Sequence, residues 1–202
     1  MKQLCSVFGL TLIAASAANA DIQVFANEAN FLAAAPITFT ETFDNVPDMQ
    51  VPGNVEIDNY RFITPGIWQV PGFCSVERMI GANTIAVRHI SFKTAGGGRG
   101  SVTAFGMRII TIAISPPADY AMAIATADGQ VKKLKVEDVV SGNPKFRGFL
   151  STSPIQRISI QAVGGSQFNF CMDDIMRSNI DPAADATEPD IEELDASVTM
   201  DE

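Results

Sequence analysis

Two adjacent carboxylates, Asp173 and Asp174, interrupt an otherwise apolar stretch, FNFCMDDIM, near the C-terminal end of the chain. The stretch alternates like a β-strand, in which successive side chains point to opposite faces. The two carboxylates are therefore not expected to act together as acid and base on one substrate. At least one should point into the protein, where a carboxylate is costly unless it is hydrogen-bonded, paired or bound to a metal.

Calcium binding is the chemistry that clustered carboxylates favour here. Ca²⁺ takes about six to eight oxygen ligands, which carboxylates on neighbouring strands and backbone carbonyls can provide. Glu41 and Asp44, in the stretch TETFD, are the candidate partners of Asp173 and Asp174 on an adjacent strand. Strict alternation favours Asp174 as the inward-pointing ligand. The alternative is that the aspartates cap backbone amides where the strand ends.

Two aromatic residues, Trp68 and Tyr60, are candidates for binding a sugar ring. Trp68 is the only tryptophan and lies in PGIWQVPG, a segment punctuated by proline and glycine. The alternatives are that Trp68 packs over an edge of the fold and that Tyr60 lies in the core or at its rim. His89 is the only histidine, and the chain has no G-x-S-x-G motif. We therefore predict no catalytic residue and a structural role for His89.

The first twenty residues have the pattern of a secretory signal peptide. Lys2 precedes a short apolar run, Val7 to Ala15, and Ala18-Asn19-Ala20 has the small-residue spacing of a cleavage site. The run is too short to span a bilayer, although an N-terminal membrane anchor is the alternative. The pattern predicts export to the periplasm or the cell exterior. The exported protein would start at Asp21 and carry no membrane span.

Export leaves two cysteines, Cys74 and Cys171, because Cys5 is removed with the signal peptide. In an oxidising compartment, two cysteines most simply form one disulfide. Closing so long a loop would stabilise the fold by roughly a few kcal/mol. The alternative is two buried free thiols.

The negative charge of the chain is concentrated at its C-terminal end. The net charge is −9, but residues 181–202 contain nine acidic residues and no basic one. Residues 21–180, which have the size of one domain, contain 14 acidic and 13 basic residues and give no indication of nucleic-acid binding. The acidic segment has no periodic apolar face, so it is predicted to be a disordered extension.

The elements that must position these residues are predicted to be mostly β-strands. Short alternating runs bounded by Gly, Pro, Asn and Asp dominate, and Asp128-Gly129 is a hairpin signal typical of a type I′ turn. A short helix is expected at NEANFLAAA, capped by Asn27, with Phe31 and Leu32 facing the core. The stretch AGGGRGS lacks the lysine of a phosphate-binding loop and is interpreted as a strand connection. We therefore predict an all-β fold, an antiparallel β-sandwich of the jelly-roll type with one short N-terminal helix.

Several stretches resemble a known group of exported domains. These are VFANEANFLAA, FTETFDN, SFKTAGGGRGSVTAFGM, ATADGQ, FRGFLSTSPIQRISIQA and FNFCMDDI. They resemble the exported jelly-roll domains of bacterial PEP-CTERM and choice-of-anchor proteins, although the acidic segment differs from the sorting signal of that group. More distantly, FD and DDI resemble strands of galactose-binding-like carbohydrate-binding modules. That resemblance implies a structural calcium between the first and last strands. It favours Asp173, the first aspartate of the pair, as a ligand.

Three functions are compatible with these features. The first is a non-catalytic exported protein that binds a polysaccharide or cell-surface glycan, or takes part in surface or matrix interactions. The second is a jelly-roll glycoside hydrolase or lyase, and the third is a structural partner in envelope assembly. Aromatic side chains on a concave face would favour the first function, and two facing carboxylates would favour the second. A flat, featureless body would favour the third, since the fold alone does not choose among them.

Overall fold

The computed structural model describes residues 21–63, 67–70, 79–82, 88–111, 118–140, 143–163 and 170–183. Within them it contains one helix, α1 (Glu28–Ala34), and fourteen strands that pair in antiparallel fashion. The strands are β1 (Ile22–Phe25), β2 (Phe39–Glu41), β3 (Met49–Pro52), β4 (Val55–Ile57), β5 (Tyr60–Ile63), β6 (Ile67–Val70), β7 (Ile80–Ala82), β8 (Arg88–Lys93), β9 (Arg99–Thr111), β10 (Ala118–Thr126), β11 (Val131–Val139), β12 (Lys145–Ala162), β13 (Phe170–Arg177) and β14 (Asp181–Pro182). The predicted all-β antiparallel fold with one short N-terminal helix is confirmed.

The strands form the two layers of a β-sandwich, joined by the longest strand. The first half of β12 pairs with β1 and β9, whereas its second half pairs with β10 and β8. The first layer continues from β9 through β13 to β2, β7, β6 and β3. The second layer is completed by β11 beside β10, and by β5 and β4 beside β8. The first layer thus contains the first half of β12, and the second layer contains its second half.

One large apolar cluster fills the space between the two layers. It includes Phe105, Met107 and Ile109 of β9, Ile158 and Ile160 of β12, Met122 and Ile124 of β10, and Ile90 and Phe92 of β8. Aromatic rings connect the layers directly: Phe62 of β5 and Trp68 of β6 meet edge to face with ring centroids 5.4 Å apart. Such ring pairs add to the stabilisation that comes from burial.

Helix α1 covers the outer face of the first layer. Its cap is the predicted one, since the Asn27 side chain accepts a hydrogen bond from the Asn30 amide at 3.0 Å. Phe31 is completely buried, as predicted, but Leu32 is 47% exposed. The prediction for Leu32 was wrong because neighbouring residues on a helix point about 100° apart, so only one of the two can face the sheet.

Two glycines make room for Phe31 on the sheet. Gly106 of β9 and Gly148 of β12 are register partners. A Cβ atom at Gly106 would lie 2.7 Å from the Phe31 ring, and one at Gly148 would lie 2.6 Å from it. Both separations are well below van der Waals contact, so the helix can approach this closely only because neither residue has a side chain.

The two predicted strand connections are present, one with a different turn type. Asp128-Gly129 joins β10 to β11, but only Gly129 has a positive φ, at +82°. The predicted type I′ turn, which needs positive φ at both positions, is therefore wrong; the Asp128 carboxylate instead accepts a hydrogen bond from the Thr126 hydroxyl. The turn from Thr94 to Gly98, which includes the first four residues of AGGGRGS, joins β8 to β9 as predicted. The helix of the described chain is too short to cross a membrane.

Candidate functional site

Asp173 and Asp174 lie at a β-bulge rather than in a regular strand. Asp173 is opposite Arg108 of β9 and Met176 is opposite Gly106, so β13 contains one more residue here than its partner. Asp174 adopts a left-handed backbone conformation, with φ of +47°. The bulge changes the direction in which the following side chains point. Strict alternation, on which the choice of Asp174 as inward ligand depended, therefore does not hold.

Asp174 is paired with an arginine. Its carboxylate Oδ2 lies 2.5 Å from Nη1 of Arg108. Arg108 also donates to Glu28 of helix α1, from Nε at 3.0 Å and from Nη2 at 2.8 Å. Such charge-assisted contacts are among the stronger hydrogen bonds. Asp174 thus belongs to a network that ties the first turn of α1 to the sheet.

Asp173 lies beside Glu41, as the sequence predicted. Glu41 of β2 is opposite Ile175 of β13, so the strand that contains TETFD and the strand that contains FNFCMDDIM are direct neighbours. Asp173 Oδ1 accepts a hydrogen bond from the amide of Asp174 at 2.8 Å. This contact is the amide-capping role that was the alternative to metal binding.

Glu41 is a buried carboxyl group at this edge. It is only 8% exposed, and its Oε1 accepts a hydrogen bond from the Phe43 amide at 2.7 Å. Burial raises the pKa of Glu41 to about 7; a side-chain hydrogen bond with Asp58 and the negative charges of Asp58 and Asp173 contribute to the increase. Glu41 therefore keeps a proton at mildly acidic pH and hydrogen-bonds through its carboxyl group to Asp58.

The four predicted calcium ligands are not all brought together. Glu41 and Asp173 are neighbours, and Asp58, which the sequence did not indicate, lies beside Glu41. Asp174 faces Arg108, and Asp44 is exposed and accepts a hydrogen bond from the Thr42 hydroxyl at 2.9 Å. In the arrangement seen, no three His, Cys, Asp or Glu side chains of the described part of the chain form a metal-binding group. Calcium binding stays a prediction; of its four predicted ligands, Glu41 and Asp173 are the two that lie near each other.

Trp68 and Tyr60 belong to the core, which corrects their assignment as sugar-binding residues. Both side chains are completely buried between the layers. Trp68 lies on β6, paired with β3 and β7, and not on an exposed loop. The Tyr60 hydroxyl donates to the Ile175 carbonyl at 3.4 Å, and burial raises the pKa of Tyr60. Neither ring offers a face on which a sugar can stack.

The remaining predicted residues have structural surroundings. Cys171 is completely buried beside Met79 and Ile110 and takes part in a disulfide. Its predicted partner, Cys74, lies outside the described residues, so the Cys74–Cys171 pairing stays a prediction. His89 Nδ1 lies 2.8 Å from the hydroxyl of Ser159 on the neighbouring strand β12. This contact between two strands agrees with a structural role for His89.

An open cleft lies on the outer face of the second layer. Along β5 its lining residues, Arg61 and Ile63, alternate with the core residues Tyr60 and Phe62, and the glycine-rich β8–β9 turn forms one wall. The empty space amounts to about 530 Å³, its open mouth included. The lining residues are Arg61, Ile63, Ser91, Phe92, Lys93, Gly97, Gly98, Arg99, Gly100, Gln156 and Ala183. No pattern in the sequence indicates this cleft, although AGGGRGS was predicted to be a strand connection.

The predicted acidic extension begins at this cleft. Asp181 and Pro182 form β14 and pair with Ser101 and Gly100 of β9. Ala183, whose amide donates to the Arg99 carbonyl at 3.1 Å, lines the cleft. The body of the protein therefore continues to Ala183, beyond the predicted boundary at residue 180. Residues 184–202, like the predicted signal peptide, lie outside the described residues.

Comparison with known proteins finds similar folds at low identity. No protein-family model and no curated protein matches the chain. Among solved structures, the CBM22-1 xylan-binding domain of Paenibacillus barcinonensis Xyn10C is 13% identical, with a TM-score of 0.43; the match covers 75% of this chain and 98% of that domain. The C-terminal family 22 carbohydrate-binding module of Clostridium thermocellum Xyn10B is 9% identical, with a TM-score of 0.43 and coverage of 76% and 98%. The K2 cleaved adhesin domain of Lys-gingipain is 10% identical, with a TM-score of 0.42 and coverage of 70% and 99%. At these values the function has to be argued from the cleft and the carboxyl groups themselves.

Proposed function

We propose that this protein is a non-catalytic, exported β-sandwich that binds a glycan in the cleft of its second layer. The observation that carries the proposal is the polar lining of the cleft. Arg61, Ser91, Lys93 and Gln156 present hydrogen-bonding groups from three adjacent strands on one concave surface. Rigid strands that hold a few convergent polar groups are a common arrangement in ligand sites. Hydroxyl-rich saccharides match such a lining, and export is supported by the signal-peptide pattern.

The cleft is proposed to bind and not to hydrolyse its ligand. Most glycoside hydrolases use a pair of carboxyl groups on either side of the scissile bond. None of the described residues that line the cleft carries a carboxylate. The described lining therefore supplies no pair of carboxyl groups that could serve as the acid and the base or nucleophile of hydrolysis.

A glycoside hydrolase remains the second candidate because of one observation, the raised pKa of Glu41. A carboxyl group with a pKa of about 7 is suited to act as a general acid at neutral pH. However, the Glu41 side chain is only 8% exposed and hydrogen-bonds to the backbone of Phe43. Release of reducing sugar from a polysaccharide, abolished by Glu41→Gln in a folded protein, would establish this second function in place of the first.

A structural calcium ion is part of the proposal. Its candidate ligands are Glu41, Asp58 and Asp173, which would have to move closer together around the ion because they form no metal-binding group as they stand. Burial raises the pKa of Glu41, and the negative charges of Asp58 and Asp173 raise it further. A cation would relieve this repulsion, and hard carboxylate oxygens are the ligands that calcium prefers. Its role would be to hold β2, the β4–β5 turn and β13 together.

The test is binding to a panel of polysaccharides, with and without calcium, using the protein that begins at Asp21. We expect binding to at least one polysaccharide and no release of reducing ends. Ser91→Ala combined with Gln156→Ala should weaken this binding, because both side chains line the cleft. The control is Thr42→Ala, a substitution of a polar residue that follows β2 and does not line the cleft. Binding to no polysaccharide, or binding that the cleft substitutions leave unchanged, would refute the proposal.

A further inference from the structure

We infer that the cleft selects acidic saccharides, chains of uronic acids or similarly charged sugars, over neutral ones. The inference deepens the proposed glycan binding and rests on it. Three cations, Arg61, Lys93 and Arg99, line the cleft, and the described lining contains no acidic residue. A neutral sugar has no charge to pair with these cations, whereas the carboxylate of a uronic acid does.

Two of the cations are already arranged around a carboxylate. Arg61 donates to Glu56 Oε1 from Nε at 3.0 Å and from Nη2 at 2.9 Å, and Lys93 Nζ contacts the other oxygen, Oε2. The hydrogen bonds of Lys93 and Arg61 lower the pKa of Glu56. One carboxylate thus holds two cations at the edge of the cleft. Together Arg61, Lys93 and Glu56 carry a net charge of about +1. The two cations also have further N–H donors, which can bind a second carboxylate, that of a ligand.

The cleft has little to offer a neutral ring. Phe92 is the one aromatic residue in its described lining, and it is only 2% exposed because it packs in the core. Stacking on an aromatic face is therefore not available from these residues. The ligand must be held by hydrogen bonds and by charge, and hydrogen bonds to ionised groups are about twice as strong as neutral ones.

The glycine-rich turn keeps the approach to these cations open. Cβ atoms built at Gly96 and Gly97 would have no neighbour within 4 Å, and Gly97 has a φ of +80° that favours glycine. The adjoining residue Arg99 brings the third cation to the same wall. A bulky sugar chain can therefore reach the charged groups over this turn.

The test compares polyuronates, such as polygalacturonate and alginate, with neutral xylan and mannan by isothermal titration at low and moderate salt. We expect polyuronate to bind at least about tenfold more tightly than the neutral chains, and to weaken as salt rises. Arg61→Gln combined with Lys93→Gln should reduce polyuronate affinity about tenfold or more. The matched control, Lys132→Gln combined with Lys133→Gln, removes the same charge from exposed positions on β11 that do not line the cleft, and should change affinity less than twofold.

The possible results distinguish failure of the selectivity for acidic saccharides from failure of glycan binding itself. A folded double variant is checked by its thermal unfolding curve, and Arg99→Gln serves as a second, single-site variant. Equal binding of neutral and acidic chains, or equal losses in the cleft variant and the β11 control, would overturn the selectivity while leaving glycan binding in place. Binding to no polysaccharide would overturn both.

Discussion

Glu41 and Asp58 share a side-chain hydrogen bond at the end of the sandwich, which requires one of the two carboxyl groups to carry a proton. The two residues come from β2 and from the turn between β4 and β5, so the contact joins the layers. Asp58 is held there by a left-handed backbone with φ of +49°. Asp173 adds a third negative charge from the bulge of β13. We therefore expect the stability of the protein to depend on pH and, if the proposed calcium binds here, on calcium concentration.

The protonation of Glu41 predicts a pH dependence of stability. The pKa of Glu41 is about 7 in the folded protein and near its ordinary value of 4.5 in the unfolded chain, so the folded state holds more protons between these values. The stabilisation from neutral Glu41 is complete below the unfolded pKa and is lost as pH rises through 7. We expect the free energy of unfolding to fall by roughly 1 to 3 kcal/mol between about pH 5 and pH 8. Chemical denaturation of wild type and Glu41→Gln checks this; the variant should lose this component, and identical pH profiles would contradict it.

The proposed calcium ion should displace the proton of Glu41 and stabilise the folded protein. The melting temperature should rise as calcium increases from micromolar to millimolar concentrations, because an ion that binds only the folded state stabilises it. The increase should be larger near pH 8 than near pH 5.5, because calcium competes with the proton on Glu41. Asp173→Asn should abolish the increase, whereas Asp44→Asn should not, since Asp44 bonds only locally to Thr42. Calorimetry that shows no calcium dependence of the wild type would leave the cluster as a purely proton-linked one.

The glycine positions that contact the Phe31 ring should not tolerate an added methyl group. Gly148→Ala places a Cβ 2.6 Å from a completely buried ring, so the ring or the backbone must move. We expect a loss of about 1 to 3 kcal/mol in the free energy of unfolding, as for overpacked cores. Gly96→Ala is the control, since its Cβ would meet no atom within 4 Å, and it should change stability by less than about 0.5 kcal/mol. Equal urea midpoints for the two variants would show that Phe31 has room to relax.

The boundary of the acidic segment can be located by truncation. Removing residues 184–202 should leave the melting temperature within about a degree of the full-length value, because this segment has no periodic apolar face. Removing residues 181–202 should lower the melting temperature by roughly a few degrees. This truncation removes β14, which pairs with β9, and the hydrogen bond from the Ala183 amide to the Arg99 carbonyl. Differential scanning calorimetry distinguishes the two truncations, and a large loss on removal of 184–202 would mean that the segment packs on the body.

The disulfide of Cys171 should connect it to Cys74. Peptide mapping of the unreduced protein should recover one cross-linked pair of peptides containing these two cysteines. Thiol titration of the denatured, unreduced protein that begins at Asp21 should detect no free thiol. Recovery of Cys74 in an unlinked peptide would rule the pairing out.

Much of the fold could be read from the sequence because its signals are local. The apolar alternation predicted the strands, Asn27 predicted the helix cap, and Asp128-Gly129 predicted a hairpin. The neighbouring positions of Glu41 and the DDI strand were also predicted, from the paired carboxylates and the resemblance. These features depend on residues close in sequence, or on charges that are costly to bury apart from each other.

The tertiary structure decided which residues form the sites. Alternation gave no warning of the bulge at Asp174, since an extra residue is visible only against the partner strand β9. The burial of Trp68 depended on β5 lying across from β6, and the approach of Asp58 to Glu41 depended on a turn from the other layer. The cleft required Arg61, Lys93 and Arg99 to meet from three different strands, β5, β8 and β9. A residue pattern shows which side chains share a face, but the free energy of burial is set by which faces meet, and only the folded chain decides that.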